Sequence, residues 1–159
     1  MASIDKRPDG RYRARWREFP GGPQKTRHFD RKWEAERFLD AVRGDLARGV
    51  YVDPAGGRML FREHAEQWRA AQVHRSSTAS QAETYLRVHA YPALGHRPLG
   101  AIRRSEIQAW VKDRSTVLSP GSVEIVYRWV ATVFRAAVSD RLIPASPCDR
   151  LTLPKARAT

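Results

Sequence analysis

The sequence is poor in cysteine, in acidic residues and in long apolar runs, and each shortage excludes a class of protein. Cys148 is the only cysteine among the 159 residues, which excludes a disulfide framework and a cysteine-based zinc site. No apolar run approaches the ~18 residues that a transmembrane helix needs. The N-terminus lacks the apolar core of a secretory signal peptide.

Acidic residues are outnumbered, since 17 Asp and Glu against 29 Lys and Arg give a net charge of +12. A chain this basic is expected to bind polyanions, and nucleic acid is favoured over acidic membranes. Of the basic residues, 24 are Arg and 5 are Lys. The planar guanidinium group of Arg can contact a phosphate or a guanine edge through two donors at once. No segment combines a strongly basic face with a wide apolar face, so we expect no membrane partner.

Residues 1–52 predict a small β-β-β-α unit. The segment RYRARWR alternates strictly, with Tyr12, Ala14 and Trp16 on one strand face and four arginines on the other. Turn signals on both sides of it predict neighbouring strands over Ser3–Arg7 and Gln24–Phe29, paired as an antiparallel meander.

Apolar residues then recur at three- and four-residue spacing, which predicts an amphipathic helix over Arg31–Arg48. Asp30 is the expected N-cap, and Gly49 the expected left-handed residue at the C-terminal end. A sheet this small needs a cover on one face. The helix is therefore expected to pack on the Tyr12 and Trp16 side and to leave the arginine side to solvent or a ligand.

The remainder predicts an all-α domain of four to five helices, so the fold class is α+β. Residues 53–59, with one Pro and two adjacent Gly, are interpreted as a linker, and residues 60–153 as the helical domain. Pro and Gly predict a long irregular connection over Tyr91–Ile102. The predicted helices are Leu60–Ala71, Ser77–His89, one capped by Ser105 that ends at Lys112, and one capped by Ser119 that ends near Asp140.

Both halves resemble one family, the tyrosine-type site-specific recombinases, and in particular the phage and conjugative-element integrases. In the first half the similarity lies in DGRYRARW, in the basic strand that ends at Phe29, and in KWEAERFL. In the second half it lies in HAEQW, in YPALGHRPLGAI leading into SEIQAWV, and in RAAVSDRLI followed by SPCDRLTLPK. The resemblance implies an arm-type DNA-binding domain over residues 1–52 and a core-binding, SAM-like domain over residues 60–153.

In that family, catalysis belongs to a further C-terminal domain that supplies an Arg, a Lys, a His-x-x-Arg pair and a nucleophilic Tyr. His28 and Arg31 have the His-x-x-Arg spacing, but they lie in the small N-terminal unit. We therefore expect no enzyme activity from this 159-residue chain, and we interpret residues 154–159 as the start of a connector to a catalytic domain. The five His residues do not converge with other ligands, so we expect neither a metal nor a cofactor.

The arginine alternation is the sharpest candidate for a DNA contact. Like charges on one strand face repel each other unless a polyanion or acidic neighbours neutralise them. A β-ribbon can enter the major groove of DNA. The alternative is a solvated polar face. The candidate residues in this half are Arg11, Arg13, Arg15, Arg17, Lys25 and Arg27.

In the helical half, the resemblance implies that the second and fourth helices face the major groove. A helix start also favours phosphate, because its backbone N–H groups are free. A solvated helix face is again the alternative. The candidates are Arg75, Ser76, Thr78, Gln81, Thr84, Arg87, Ser122, Arg128, Thr132 and Arg135. The tryptophans expected in the core rather than stacked on bases are Trp33, Trp68, Trp110 and Trp129.

The leading prediction is duplex-DNA binding at recombination attachment sites, both arm-type and core-type, as the N-terminal part of a phage-type integrase. The resemblance implies a cytoplasmic protein, bacterial or phage-encoded. It also implies partner protomers that form a tetramer on DNA when the protein is full length, and a host DNA-bending protein. A stand-alone regulatory DNA-binding protein without recombinase activity is one alternative. A double-stranded-RNA-binding protein is another, although such domains usually place their basic residues at a helix end.

Overall fold

The chain begins with a three-stranded antiparallel sheet in the order β1-β2-β3. In this computed structural model, which describes residues 2–156, the strands are β1 (Ser3–Lys6), β2 (Tyr12–Trp16) and β3 (Lys25–Phe29). The predicted meander is confirmed. The chain divides between Tyr51 and Val52 into two compact units, and each has its own apolar core.

Helix α1 (Lys32–Arg48) covers one side of the sheet, as the alternation in β2 predicts. Ala14 and Trp16 are buried beneath it. The Trp16 ring meets the Phe38 ring edge-on at 5.0 Å, and Trp16 Nε1 donates to the Tyr51 hydroxyl at 2.9 Å. Leu39 and Val42 of α1 complete the buried core of this unit, and the rings of Phe38 and Tyr51 pack against it.

The start of α1 differs from the prediction. The N-cap is Arg31 rather than Asp30, and the Glu34 carboxylate accepts from the Arg31 backbone N–H at 3.2 Å. The Asp30 carboxylate instead faces Arg11 Nε at 3.1 Å. The predicted end is confirmed, since Gly49 adopts the left-handed conformation with φ of 69°.

The second unit is helical. Its α-helices are α2 (Phe61–Ala71), α3 (Ser76–Tyr85), α4 (Arg104–Ser115) and α5 (Pro120–Ser139). One continuous core joins them: α2, α4, α5 and the segment after α3 contribute buried side chains, and Tyr85 of α3 packs against this core. The α+β fold class is confirmed.

The sequence predicts an irregular connection over Tyr91–Ile102, and this prediction is wrong for residues 91–95. The chain continues without a break as a π-helical segment, Leu86–Gly95, with Pro92 inside it. Leu86, Tyr91 and Leu94 are buried on its inner side. Burial of this apolar face outweighs the helix-breaking tendency of Pro92, and the helix responds by changing its hydrogen-bond spacing.

Two helix starts in this unit test the capping predictions. Ser119 caps α5 as predicted, because its side chain accepts from the Ser122 N–H at 3.3 Å and Pro120 follows at the first helical position. The prediction for Ser105 is wrong. Helix α4 begins at Arg104 after an Arg103 N-cap, so Ser105 lies inside the first turn, and the helix extends past Lys112 to Ser115.

After α5 the chain returns along the helical unit without regular secondary structure. Gln108 Nε2 donates to the Thr152 carbonyl at 2.9 Å, and the Tyr127 hydroxyl donates to the Cys148 carbonyl at 2.6 Å. Leu151 and Leu153 pack against the core. Of the predicted connector over 154–159, residues 157–159 lie outside the described residues.

Candidate nucleic-acid interfaces

The side of the sheet opposite α1 is open, and the strand register shows which side chains share it. Arg13 on β2 pairs with Asp5 on β1 and with His28 on β3. The next row joins Arg15 to Ser3 and Thr26. Cross-strand partners point to the same side of a sheet. We call this side, with Asp5, Arg13, Arg15, Thr26 and His28 at its centre, the open sheet face.

Asp5 and Asp30 neutralise part of the charge of the predicted arginine ladder, the set Arg11, Arg13, Arg15, Arg17, Lys25 and Arg27. The Asp5 carboxylate lies between two of the arginines, 2.8 Å from Arg13 Nη2 and 3.0 Å from Arg15 Nη2. The hydrogen bond from Arg13 holds the pKa of Asp5 below its usual value, with help from the charge of Arg15. Arg11 pairs with Asp30, and Arg17 donates to the Gly22 carbonyl oxygen. The sequence neighbours alone did not reveal Asp5 or Asp30 as partners.

Two predicted members of the ladder lie on the other side of the sheet. Lys25 pairs with Trp16, and Arg27 pairs with Ala14, so both project from the side that α1 covers. The Arg27 guanidinium stacks on the ring of Phe38 at 5.0 Å. The prediction that Lys25 and Arg27 share a face with the β2 arginines is therefore wrong. The β2–β3 register aligns them with Trp16 and Ala14, which face α1, and the pattern within one strand does not reveal this register.

Thr26 and His28 take their places on the open sheet face, and the sequence prediction missed both. His28 Nε2 lies 3.4 Å from Arg7 Nη1. Alternation within Lys25–Phe29 indicates that Thr26 and His28 share one face of β3. It does not tell which face of the sheet that is, because this depends on the register with β2.

In the helical unit, residues from two helices converge. Gln81 on α3 lines one groove together with Arg128 and Thr132 on α5, and the walls of this groove include Ile125 and Trp129. Gln81 and Arg128 are exposed at the surface. We call it the α3–α5 groove. It combines an amide, a guanidinium and a hydroxyl, which are the groups that read base edges and hold phosphates.

Internal contacts set the positions of these side chains. Arg128 Nη2 is 2.6 Å from a carboxylate oxygen of Glu124, an exposed pair one turn apart on α5. The Thr132 hydroxyl donates to the Arg128 carbonyl oxygen at 2.7 Å. Arg128, Thr132 and Arg135 also line a second groove, on the side of α5 that faces residues 146–149. Arg128 and Thr132 therefore lie between the two grooves, and Arg135 lines only the second.

Other predicted helix residues do not join the α3–α5 groove. Arg75 is the N-cap residue of α3, and its side chain makes no capping hydrogen bond. Arg87 Nη1 faces Glu83 at 3.8 Å, and the Ser122 hydroxyl accepts from Ser119 at 3.1 Å. Ser76 and Thr84 are exposed on α3, and Thr78 is half-buried.

An aromatic cluster beside this groove was not predicted. Trp68, Trp129 and His74 meet edge-on, with ring centroids 5.9 to 6.1 Å apart. Trp110 is buried as expected, but Trp33 is 52% exposed on α1, so its prediction as a core residue is wrong. Trp33 lies in the first turn of α1, two residues after the N-cap.

The remaining chemistry in the described part of the chain is sparse. Burial raises the pKa of the Cys148 thiol to about 12, so the thiol stays protonated at neutral pH. Among residues 2–156, no three His, Cys, Asp or Glu side chains are close enough to hold a metal ion. No described helix has both the length and the apolarity needed to cross a lipid bilayer.

Comparison with known proteins gives one family and several similar structures. The phage integrase central domain family matches residues 61–153. An integrase-like domain from Bacillus cereus is 24% identical, with a TM-score of 0.59 over 63% of this chain and 87% of that one. No curated protein sequence matches.

Two lambda integrase structures align with nearly the whole chain. One is a tetramer bound to a Holliday junction, at 15% identity and a TM-score of 0.57. The other is a dimer bound to a COC′ core site, at 16% identity and a TM-score of 0.59. Each alignment covers 98% of this chain, which spans 48% and 46% of the two lambda integrase chains. At this identity the likeness shows a shared fold. The resemblance seen in the sequence is confirmed: through residues 61–153, the chain belongs to the phage integrase central domain family.

Proposed function

We propose that the chain is the DNA-binding part of a tyrosine-type integrase and binds duplex DNA at recombination attachment sites. The observation that carries this proposal is the convergence of Gln81 with Arg128 and Thr132 across two helices of the integrase domain. These side chains offer paired donors for base edges and phosphates on a surface of a chain with a net charge of +12.

The predicted helical domain over residues 60–153 is assigned to the core-type site. An exposed Arg and Gln beside a half-buried Thr leave the groove floor apolar, through Ile125 and Trp129, and its rim polar. Arg135 continues the basic edge one turn farther along α5. The major groove is wide enough to admit a helix, and the polar side chains on this rim are of the kinds that contact base edges and phosphates. The lambda integrase dimer aligned with this chain is itself bound to a core site.

The predicted N-terminal domain over residues 1–52 is assigned to the arm-type site through the open sheet face. Arg13 and Arg15 project from the middle of that face, with Thr26 and His28 beside them. A three-stranded sheet presents a gently twisted surface that fits the major groove. Lys25 and Arg27 are excluded from this assignment because they project from the α1 side.

Two DNA-binding units on one chain raise the affinity for a DNA that carries both sites, because the second contact becomes intramolecular. Such a DNA must bring the sites within reach, which is the role proposed for a DNA-bending protein of the host. Strand cleavage is assigned to a catalytic domain of the whole integrase, whose protomers assemble on the DNA. The lambda integrase tetramer on a Holliday junction is consistent with that assembly.

The test is a selection from random duplex DNA with the full chain and two double variants. Arg13→Ala with Arg15→Ala disables the open sheet face, and Gln81→Ala with Arg128→Ala disables the α3–α5 groove. We expect the wild type to enrich two distinct motifs and each double variant to lose a different one. Enrichment of no motif by the wild type would contradict the proposal. Thermal unfolding of each variant shows whether a lost motif reflects a lost fold.

A further inference from the structure

We propose that Asp5 is a specificity-determining residue that holds Arg13 in position to read a guanine base on the open sheet face. The inference rests on the proposed DNA-binding function. It goes further in two ways. It assigns base reading to Arg13, and it assigns a positioning role to Asp5, an acidic residue among basic ones.

The contact between Asp5 and Arg13 is two-pronged. Arg13 Nε donates to Asp5 Oδ1 at 3.3 Å, and Arg13 Nη2 donates to Asp5 Oδ2 at 2.8 Å. This bidentate contact uses one edge of the planar guanidinium group and fixes the plane of the group. The side chains of Arg13 and Asp5 are 37% and 31% exposed, so the pair is only partly open to solvent.

Among residues 2–156, Asp5 is the one hydrogen-bond partner of the Arg13 guanidinium, so a second edge of this group is available. A guanidinium carries five N–H donors, two of them on each terminal nitrogen. Asp5 accepts from Nε and from one N–H of Nη2. The second N–H of Nη2 and one N–H of Nη1 form a different edge of the group. Two parallel donors on that edge match the O6 and N7 acceptors of guanine in the major groove. Because Asp5 fixes the guanidinium beforehand, less side-chain entropy is lost when the base contact forms.

The charge of Asp5 favours a base over a phosphate as the ligand. Its carboxylate also contacts Arg15 at 3.0 Å, so a single negative charge is shared by two adjacent guanidinium groups. A phosphate approaching this pair is repelled by Asp5, whereas the acceptors of guanine carry no net charge. The carboxylate therefore weakens sequence-independent binding at the centre of the face.

Arg11 provides the contrast within the same ladder. It touches Asp30 through Nε at 3.1 Å, and the two side chains are 51% and 81% exposed. An exposed pair of this kind contributes little and opens readily. Arg11 is thus suited to a mobile phosphate contact, whereas Arg13 is suited to reading a base.

The experiment repeats the random-duplex selection on the full chain with Asp5→Asn, Arg13→Ala and Asp40→Asn. Asp5→Asn keeps the side-chain shape and removes the charge. Asp40→Asn is the matched control, since it adds the same charge to the same unit at an exposed α1 position that pairs with Arg43. The guanine read by Arg13 is identified as the motif position that Arg13→Ala loses.

We expect Asp5→Asn to lower the preference for that guanine over the other bases by about 5-fold or more, within the range for a bidentate pair. We also expect it to tighten binding to random duplex DNA, and Asp40→Asn to retain the motif. If Asp5→Asn retains the full guanine preference, the role of Asp5 is overturned while DNA binding stands. If Arg13→Ala loses no position, Arg13 is not a base reader. If the wild type enriches no motif, the proposed function itself fails, and the inference fails with it.

Discussion

Arg27 lies with its guanidinium 5.0 Å above the ring of Phe38, on the side of the sheet that α1 covers. Its Cα partner on β2 is Ala14, which is fully buried. A residue that the charge pattern suggests as a DNA contact therefore packs against the core of its own unit. Arg27 therefore stabilises the fold, whereas Arg13 and Arg15 on the open sheet face are placed to bind a ligand.

Arg27→Ala is expected to lower the free energy of unfolding of the N-terminal unit by about 0.5–1 kcal/mol, the usual size of an exposed cation–π contact. It is not expected to alter the DNA sequence preference, because the side chain does not project from the open sheet face. Chemical denaturation measures the first effect and duplex selection the second.

Arg13→Ala is the comparison for Arg27→Ala, and we expect it to alter the sequence preference. If the two variants change the sequence preference alike, the division of the sheet into a packing side and a binding side is wrong.

Gln108 clamps the backbone of Thr152. Its amide donates to the Thr152 carbonyl and accepts from the Thr152 N–H, both at 2.9 Å. Gln108→Ala is expected to lower the free energy of unfolding by about 1–2 kcal/mol, since each such hydrogen bond contributes roughly 1 kcal/mol to stability. It is also expected to speed exchange of the Thr152 amide proton, which NMR hydrogen exchange measures. Lys112→Ala, at an exposed position one turn farther along α4, is the control. Unchanged exchange at Thr152 would show that the clamp does not hold in solution.

His89 is expected to make stability depend on pH. Burial lowers its pKa below the usual 6.5, and the nearby Arg114 guanidinium lowers it further. The unfolded chain therefore takes up a proton as the pH falls below 6.5, while the folded chain resists it until lower pH. The stability from neutral His89 is fully present above pH 6.5 and declines as the pH falls from there through the folded pKa.

His89→Gln should show a shallower loss of melting temperature than the wild type between pH 7.5 and 5. His96→Gln, at an exposed position, is the control and should follow the wild type. Parallel curves for His89→Gln and the wild type would remove His89 as the source of the pH dependence.

The strand and helix pattern could be predicted because it depends on local periodicity. Alternation in β2 identified Ala14 and Trp16 as core residues, and a serine followed by Pro120 identified the start of α5. The side of the sheet on which Arg27 lies depends instead on the register across a turn, which periodicity within one strand does not fix.

Contacts between segments far apart in the chain likewise cannot be predicted from local sequence patterns. The Asp5 carboxylate meets Arg13 only because β1 pairs with β2. Arg104, at the start of α4, donates to the carbonyl oxygens of Asp149 and Arg150, which lie more than forty residues farther along the chain. The π-helical segment around Pro92 depends on burial of the side chains beside it, which overrides the local preference.

The salt dependence of DNA binding reports how many phosphates the chain neutralises. With six to eight phosphates contacted, the slope of log affinity against log salt concentration is expected to be about −5 to −7. Fluorescence anisotropy titrations at several salt concentrations measure it. A slope near −1 would mean that the basic surfaces described above do not engage the DNA backbone.

The most direct test of the central claim is the affinity of the full chain for a selected duplex, compared with a scrambled duplex and with double-stranded RNA of the selected sequence, at one salt concentration. Sequence-specific DNA binding predicts a preference of about a thousandfold or more for the selected duplex over the scrambled one. It also predicts weak binding to the RNA, whose deep and narrow major groove admits neither a sheet nor a helix. Equal affinity for all three nucleic acids would contradict the claim. It would show that the chain, with its net charge of +12, binds nucleic acid only non-specifically.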